Sequence, residues 1–392
     1  MYFGRRQGSS CLIRLGAAIL AVVVVLAGLY VVLSLPIYLR GSPLTQPSIT
    51  SPPPQPSPSA TPQDASLRLA KGDELFKEGK IVQAAAEYEA ATQLDPQNAV
   101  AFARWSRSLS LLNRMEKAVA AAKQAVSLDK QNAEAWANLA LAYDWSEEYK
   151  EALQAALRAV DLDPKLPEAH AYLAEAYADL VRWEQAIEAG NRAVQIGPDN
   201  AEAHRALGYV LESQGKYEAA LAEYRRAVEL APNFAHLYRR LGAIYRVRGE
   251  YDLAIAQFQK AIELLPVDPR GYEGLGRVYY SQEKYEQAQV QFQKAVDADP
   301  NYASAHAYLG WTYYIQQDYP KATAAFQRSL QLKPAQPLTL AGLGWSLYQS
   351  RMLAEAKSAF AKALELDPKL DLARQGLAAI EGAPPPSASP TP

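Results

Sequence analysis

The chain has 392 residues, of which 49% are hydrophobic and 21% are charged, and its formal net charge is -2. A length of this order predicts two or three ordinary domains. The balanced charge argues against a dedicated nucleic-acid binder, which would carry a basic excess. The single cysteine excludes a disulfide framework and a cysteine-rich metal site, and the four histidines leave little scope for a histidine-based one. We therefore expect no metal, no other cofactor and no nucleic-acid partner.

The first predicted element is a transmembrane helix at residues 15–35. These 21 residues carry no charge, and as a helix they would span about 31 Å, close to the hydrocarbon core of a bilayer at about 30 Å. A cleaved signal peptide is the alternative, but its apolar core would be shorter and would end in a small-residue cleavage motif. The segment is therefore interpreted as an uncleaved, single-pass signal anchor in contact with the lipid bilayer.

The charges flanking this segment predict its orientation. Arg5, Arg6 and Arg14 precede the apolar run, whereas Arg40 alone follows it closely. The positive-inside rule places the short basic segment 1–14 in the cytosol. The remainder of the chain is then predicted on the extracytoplasmic side of the cytoplasmic (plasma) membrane.

Two segments, residues 36–64 and 383–392, are rich in proline and serine. Gly41 to Asp64 and Ala383 to Pro392 together hold 13 of the 26 prolines and no aromatic residue. Such segments bury too little apolar surface to offset the loss of chain entropy. They are predicted to be a disordered linker, which holds the more C-terminal part of the chain away from the bilayer, and a disordered tail.

Between linker and tail, similar residues recur every 34 positions, which is the signature of a repeat architecture. One position is alanine in all nine units: Ala84, Ala118, Ala152, Ala186, Ala220, Ala254, Ala288, Ala322 and Ala356. Another is always small: Gly72, Ser106, Ala140, Ala174, Gly208, Gly242, Gly276, Gly310 and Gly344. The closing residue is a proline in eight of the nine units: Pro96, Lys130, Pro164, Pro198, Pro232, Pro266, Pro300, Pro334 and Pro368.

Each unit has the pattern of two amphipathic helices. In the sixth, Tyr238, Leu241 and Tyr245 follow one another at spacings of three and four, and Ala254 and Phe258 repeat the pattern after a short turn. The closing proline ends the second helix because it lacks an N–H group. One pair cannot cover its own apolar face, so neighbouring pairs must stack. The fold class predicted is all-α.

The residue types at these positions resemble the tetratricopeptide repeat (TPR), for instance Leu207, Gly208, Ala220, Tyr224 and Pro232. The resemblance covers residues 65–370 as nine repeats. It implies a TPR α-solenoid, a right-handed superhelix of helix pairs whose first helices line a concave groove. It also implies that residues 371–382 form a C-terminal capping helix. Taken with the apolar segment, the predicted architecture is this solenoid preceded by one transmembrane helix.

The second helices of repeats two to four depart from the family pattern. They carry Ala122, Ala156 and Gly190 where an aromatic residue is usual. Looser packing is therefore expected in these three repeats, within an unchanged fold.

No motif of a catalytic site stands out. The chain contains no H-E-x-x-H, C-x-x-C or G-x-S-x-G motif, and residues 72–81 approach a phosphate-binding loop with the wrong spacing. His170, His204 and His306 occupy the repeat position of Trp136 and Tyr238, so they are interpreted as packing residues. We expect that the chain is not an enzyme.

The outward positions of the first helices sort into three stretches along the groove. The acidic stretch comprises Glu134, Asp144, Glu168, Glu175, Asp179, Glu202 and Glu212. The basic stretch comprises Arg205, Arg239, Arg240, Arg246, Arg270 and Arg277. The aromatic stretch comprises Tyr308, Trp311, Tyr314, Trp345 and Tyr348.

The basic and aromatic stretches are the predicted partner-binding groove. Arginine forks beside aromatic rings suit a protein or peptide that bears carboxylates and apolar side chains. Exposed Trp311 and Trp345 would be unusual unless a partner covers them. The alternative is a solvated helix face on which the arginines pair with neighbouring glutamates. The Asn/Lys/Arg clamp of chaperone-binding members of the family is not matched, because Asn138 stands alone at its position.

The function predicted is that of a membrane-anchored TPR adaptor, or scaffold, with no catalysis of its own. Two alternatives remain open. In one, the repeats face the cytosol as a receptor. In the other, the chain is an accessory subunit of a membrane or envelope-assembly enzyme.

Overall fold

The computed structural model describes residues 62–382, which form nineteen α-helices. The helices are α1 (Pro62–Lys77), α2 (Ile81–Leu94), α3 (Ala99–Leu111), α4 (Met115–Leu128), α5 (Ala133–Trp145), α6 (Tyr149–Leu162), α7 (Pro167–Asp179), α8 (Trp183–Ile196), α9 (Ala201–Ser213), α10 (Tyr217–Leu230), α11 (Ala235–Val247), α12 (Tyr251–Leu264), α13 (Pro269–Ser281), α14 (Tyr285–Ala298), α15 (Ala303–Ile315), α16 (Tyr319–Leu332), α17 (Pro337–Gln349), α18 (Leu353–Leu366) and α19 (Asp371–Ile380).

The helices are arranged as nine antiparallel pairs, from α1–α2 to α17–α18, and α19 packs against α17 and α18. No β-strand occurs between residues 62 and 382, so the all-α solenoid expected from the periodicity is confirmed. The first helix begins at Pro62, inside the segment predicted as linker. Proline is well tolerated at the first position of a helix, because its missing N–H would have no partner there.

The turn within each helix pair contains one residue in the left-handed region of backbone space. These residues recur every 34 positions: Gly79, Asn113, Glu147, Val181, Gly215, Gly249, Glu283, Gln317 and Arg351. The conformation closes the first helix through a backbone bond from the following residue, as from Arg182 N–H to the Tyr177 carbonyl at 2.8 Å. The φ of Val181 is 61°, which is unfavourable for a β-branched side chain.

The small residue on each first helix faces the middle of its paired second helix. In six repeats it is a glycine against an aromatic ring, as with Gly208 and Tyr224. In repeats two to four a larger Ser106, Ala140 or Ala174 occurs where the second helix has alanine or glycine. Volume lost on one helix is therefore partly restored on the other.

The alanines that replace aromatic residues in repeats two and three are fully enclosed, while the looser packing expected there stays a prediction. Ala122 and Ala156 are completely buried in one continuous core cluster, which also contains Tyr172 at 1% exposure. A large side chain from a neighbouring first helix therefore supplies volume that the missing aromatic residues do not.

The recurring His/Trp/Tyr position has a structural role. His170 Nε2 and His306 Nε2 lie 3.0 Å from the carbonyl oxygens of Pro164 and Pro300, six residues earlier. The hydroxyl of Tyr238 donates to the Pro232 carbonyl in the same way, at 2.9 Å. These side chains therefore satisfy carbonyl groups at the end of the preceding repeat.

Within residues 62–382, no helix is both long enough and apolar enough to cross a bilayer. The predicted transmembrane helix at 15–35 lies outside the described residues, as do segment 1–14, most of the linker 36–64 and the tail 383–392. The membrane anchor therefore remains a prediction from the sequence.

The first helices line the concave side, and their spacing varies along the array. Helices α3, α5, α7 and α9 pack against one another in series, whereas α9 and α11 have almost no direct backbone contact. Distant repeats meet across the solenoid. The ring of Phe76 packs against that of Phe234, with centroids 5.4 Å apart, and Lys333 Nζ lies 2.7 Å from a carboxylate oxygen of Glu147.

Candidate ligand-binding cavity

The concave side contains a cavity of about 400 Å³, built mainly from α5, α7, α9, α11 and α13. The sequence predicts a basic stretch along this side, and every member of it contributes to the wall of the cavity: Arg205, Arg239, Arg240, Arg246, Arg270 and Arg277. The solenoid therefore brings together six arginines that are spread over 73 positions of the chain.

Two of these arginines, Arg205 and Arg270, are engaged by the protein itself. Arg205 is completely buried, with Nη2 2.5 Å from Glu175 Oε1, and its Nε donates to Glu202 Oε2 at 2.6 Å. The two carboxylates offset part of the cost of burying this guanidinium group. Arg205, predicted as a partner-binding residue, thus has its charge neutralised within the protein.

Arg270 bonds to two other parts of the chain at the wall of the cavity. Its Nε donates to Asp268 Oδ1 at 2.8 Å, and its Nη2 donates to the Leu111 carbonyl oxygen at 2.5 Å. Leu111 ends α3 in the second repeat, whereas Arg270 lies at the start of α13 in the seventh. This bond joins two distant repeats, so Arg270 has a structural role.

The other four arginines are named here the basic pole: Arg239, Arg240, Arg246 and Arg277. Two of them have a carboxylate partner at a longer ion-pair distance than Arg205 has. Arg239 Nε lies 3.3 Å from Asp268, and Arg277 Nη1 lies 3.5 Å from Glu273. Arg277 also covers the ring of Tyr308, 5.2 Å from its centroid.

Arg240 and Arg246 have no ion-pair partner among the described residues. The guanidinium of Arg240 lies 4.8 Å from the ring centroid of Tyr209. Arg246 is half-buried, and burial, followed by repulsion from Arg277, lowers its pKa. Burial and then the neighbouring Arg270 lower the pKa of Arg239 to about 10. Burial opposes the charge of Arg240, but the nearby Tyr224 and Glu212 raise its pKa. The incompletely neutralised members of the basic pole are therefore Arg239 and Arg246.

A second charged region of the same cavity, the acidic pole, comprises Asp144, Glu175 and Asp179. Asp144 is 6% exposed, and its Oδ1 receives no hydrogen bond from the part of the chain that is described. Burial raises the pKa of Asp144 well above its usual range, and the adjacent Glu175 and Asp179 raise it further. The pKa of Glu175 is also raised by burial, although Arg205 opposes the shift.

Tyr209 connects the two poles. Its hydroxyl donates a short hydrogen bond to Asp179 Oδ1, and its ring lies under the guanidinium of Arg240. Burial, followed by the charge of Asp179, raises the pKa of the hydroxyl, so it stays protonated and keeps this donor role.

The rest of the predicted acidic stretch is not an open surface. Glu134 lies 3.4 Å from Arg104, Glu168 accepts from Asn200, and Glu212 accepts from the Tyr224 hydroxyl. These carboxylates join neighbouring helices.

The predicted exposure of the aromatic stretch is wrong. Trp311, Trp345 and Tyr314 are only 2%, 1% and 6% exposed. Trp311 packs edge-on against Phe326, and Trp345 packs against Phe360 while its Nε1 donates to the Leu372 carbonyl at 3.1 Å. Their helices turn these positions toward the second helices, so the tryptophans fill the core.

Tyr308 and Tyr348 are half-buried. Tyr308 stacks on Phe292 with centroids 5.1 Å apart, and Tyr348 packs against Trp345. Tyr308 and Trp311 contribute to a second cavity of about 460 Å³, beside the Glu147–Lys333 contact. Among the described residues, Tyr314, Trp345 and Tyr348 line neither cavity.

Sequence reasoning missed four residues that shape the main cavity: Trp145, Asp268, Glu273 and Tyr302. Asp268 is 3% exposed and caps α13, accepting a bond from Arg270 N. The Asp-Pro pair at 268–269 is a signal for such a cap and could have identified it. Nothing in the local sequence marks Trp145, whose ring lies 5.6 Å from the guanidinium carbon of Arg205.

The chain is built as a scaffold of stacked helix pairs around a charged concave cavity. Within residues 62–382, no group of three or more His, Cys, Asp and Glu side chains is arranged to hold a metal ion. A family model described as tetratricopeptide repeat matches residues 104–167, 146–201, 195–233, 205–269 and 274–337, and a second model of the same description matches residues 337–370.

These matches cover more than half of the chain, which therefore belongs to the tetratricopeptide-repeat proteins. The first repeat lies outside the matched ranges, although α1 and α2 form the same helix pair there. No curated protein sequence matches the chain.

Several solved structures are similar to this chain. The crystal structure of the APC/C hetero-tetramer Cut9–Hcn1 aligns with a TM-score of 0.57 and 15% identity, over 81% of this chain and 76% of that one. Pseudomonas aeruginosa PilF has a TM-score of 0.47 and 22% identity, over 55% of this chain and 98% of its own. Yeast Tom70 has a TM-score of 0.48 and 16% identity, over 81% of this chain and 88% of its own.

Proposed function

We propose that this protein is a membrane-anchored, non-catalytic scaffold that binds a carboxylate-bearing segment of a protein or peptide in its concave cavity. The observation that carries the proposal is the basic pole. Two of its four guanidinium groups, those of Arg240 and Arg246, line the cavity without a carboxylate partner among the described residues.

The energetic argument concerns burial of charge. A guanidinium removed from water is costly unless a partner compensates it. A bound carboxylate would do so through two parallel N–H bonds to one arginine. It would also relieve the repulsion between Arg246 and Arg277 that lowers the Arg246 pKa. Binding of an anionic segment would therefore compensate positive charge in the cavity that the protein itself leaves unpaired.

The proposal assigns no chemistry to the cavity. Arg205, Arg270 and Glu202 are engaged in ion pairs. The hydroxyl of Tyr302 donates to Glu273. The proposal assigns to the cavity the recognition of charge and shape.

The membrane part of the proposal depends on residues 15–35, whose 21 uncharged residues precede the described repeats. The proposed orientation leaves segment 1–14 in the cytosol and the repeats on the extracytoplasmic side of the cytoplasmic membrane. The chain has one cysteine, Cys11, which permits a direct test with a membrane-impermeant maleimide. In intact cells, Cys11 should be protected, whereas a variant with Cys11→Ser and Ser387→Cys should be labelled. If Cys11 is labelled in intact cells and the Cys11→Ser/Ser387→Cys variant is not, the repeats face the cytosol.

Binding can be tested by photo-crosslinking in cells. Tyr149 lines the cavity, and Tyr217 occupies the equivalent repeat position outside its wall. A photoreactive phenylalanine at position 149 should capture a partner through an acidic segment, identified by mass spectrometry. The same probe at position 217 should not.

Two matched double variants test whether binding depends on the basic pole or on positive charge elsewhere on the protein. Arg246→Glu with Arg277→Glu should abolish the crosslink at position 149. Arg192→Glu with Arg328→Glu, at one exposed and one half-buried arginine of second helices that each bond to a glutamine three residues later, should leave it unchanged. Equal capture by both double variants would reject the cavity as the binding site.

A further inference from the structure

The cavity contains one positively charged and one negatively charged region, and each has charged side chains without an ion-pair partner among the described residues. The basic pole lies on α11 and α13, and the acidic pole lies on α5 and α7. Helix α9 separates them along the solenoid, and its Tyr209 contacts both. A purely anionic ligand would satisfy the first pole and leave the second unchanged.

At the acidic pole, the neighbouring cation, Arg205, is already engaged in ion pairs. Arg205 serves Glu175 and Glu202, which leaves Asp144 and Asp179 without a cation within ion-pairing distance among the described residues. Tyr209 donates one hydrogen bond to Asp179, and the carboxyl groups of Asp144 and Asp179 share a side-chain hydrogen bond, but Asp144 Oδ1 has no donor among the described residues. A buried carboxyl oxygen without a donor is uncommon in folded proteins, and it marks a place where a ligand can supply one.

A second buried polar group without a hydrogen-bond partner belongs to the residue next to Asp144. The indole Nε1 of Trp145, the residue that follows Asp144, is buried and donates to no acceptor among the described residues. Arg205 Nη1 is buried and unpartnered as well. Asp144, Trp145 and Arg205 all line the same cavity, whose volume of about 400 Å³ suits a ligand of a few residues. The two N–H donors require an acceptor, such as a peptide carbonyl of the ligand.

We propose that the cavity binds a dipolar segment of the partner, with an ammonium or guanidinium group at the acidic pole and a carboxylate at the basic pole. The carboxylate half rests on the proposed function. The cationic half is additional, and it specifies the partner further: a basic side chain, or a free amino terminus, within a few residues of an acidic one.

The two halves can be probed separately on the full-length chain in a non-ionic detergent. Biosynthetic 5-fluorotryptophan gives one ¹⁹F signal for each of the six tryptophans, and Trp145→Phe assigns the signal of Trp145. Ethylguanidinium chloride probes the acidic pole, succinate probes the basic pole, and sodium chloride at equal ionic strength is the control.

Ethylguanidinium should shift the Trp145 signal saturably in the millimolar range, and succinate should strengthen its binding rather than compete. Asp144→Asn with Asp179→Asn should weaken ethylguanidinium binding about tenfold or more, because a desolvated charge pair is lost. Asp161→Asn, at an exposed carboxylate paired with Arg158, should have no effect. A circular-dichroism melt confirms that each variant is folded.

The outcomes are distinguishable. If succinate binds through Arg246 and ethylguanidinium gives only the shift seen with sodium chloride, the dipolar proposal is wrong and the proposed function stands. If ethylguanidinium binds equally well to the Asp144→Asn/Asp179→Asn variant, the assignment of the acidic pole is wrong. If succinate also fails and the crosslink at Tyr149 does not depend on Arg246, both proposals are rejected.

Discussion

The backbone of Gly242 lies directly against the ring of Phe258. A Cβ atom on residue 242 would be 2.8 Å from the ring carbon Cε2 of Phe258, closer than carbon atoms approach in proteins. The glycine on the first helix and the aromatic ring on the second helix therefore form one packing unit. The same relationship joins Gly208 to Tyr224 in the preceding repeat.

Gly242→Ala should lower the free energy of unfolding by about 1–3 kcal/mol, because the added methyl group overpacks the interface between the paired helices. Gly190→Ala is the matched control, since a Cβ there meets the flexible end of Leu207 at 3.1 Å and the Cα and Cβ atoms of Leu207 at ordinary contact distances of 3.5 and 3.6 Å. Its better helix propensity should keep stability unchanged or raise it by about 0.5–1 kcal/mol. Urea denaturation measures both, and an equal loss in the two variants would contradict the packing argument.

Val181→Gly should stabilise the protein by about 1 kcal/mol. Val181 is exposed and its φ is 61°, so glycine removes backbone strain without leaving a cavity. The reciprocal change Gly215→Val, at the same repeat position with φ 73° and no atom near its Cβ, should destabilise by a similar amount. Thermal melts are sufficient, and no difference between the two variants would show that the turn is not strained.

Arg239→Gln and Arg246→Gln should separate structural from ligand-binding arginines. Arg239 faces Asp268, which is 3% exposed, so its loss should cost about 3 kcal/mol by leaving a buried carboxylate with one fewer partner. Arg246 has no such partner, and removing its charge should leave the free energy of unfolding unchanged or raise it. Only Arg246→Gln should lose succinate binding while remaining as stable as the wild type. A large destabilisation by Arg246→Gln would reveal an internal partner.

Asp144 should make stability depend on pH. Its pKa is raised in the folded state by burial and then by Glu175 and Asp179, while Arg205 opposes the shift and Tyr149 lies nearby. The folded state therefore binds the proton more tightly than the unfolded chain does. This stabilisation is complete below the ordinary carboxyl pKa and is lost as pH rises through the raised pKa of Asp144. The difference in melting temperature between wild type and Asp144→Asn should change with pH in that sense, whereas the Asp161→Asn difference should stay flat.

The predictable part of the fold is the part that local features specify. Helix positions are set by such features, for example Asn98, Asn132 and Asn200 as caps and the small residue of each first helix. These features recur every 34 residues, so periodicity in the chain was enough to predict the stacked pairs. The position of His170 and Tyr238 was likewise correctly predicted as structural.

The amino-acid pattern alone was enough to specify the helix pairs, their number and the concentration of arginines on first helices. Which charges are free depends on the folded solenoid. Arg205 and Arg246 both lie on first helices, yet the first is enclosed by carboxylates and the second is not. Likewise, Trp311 lies on a first helix but turns into the core. The physical reason is that pairing and burial depend on groups from other turns of the solenoid, 159 residues away in the Arg270–Leu111 bond and 186 residues away in the Lys333–Glu147 pair, and no local pattern encodes such distances.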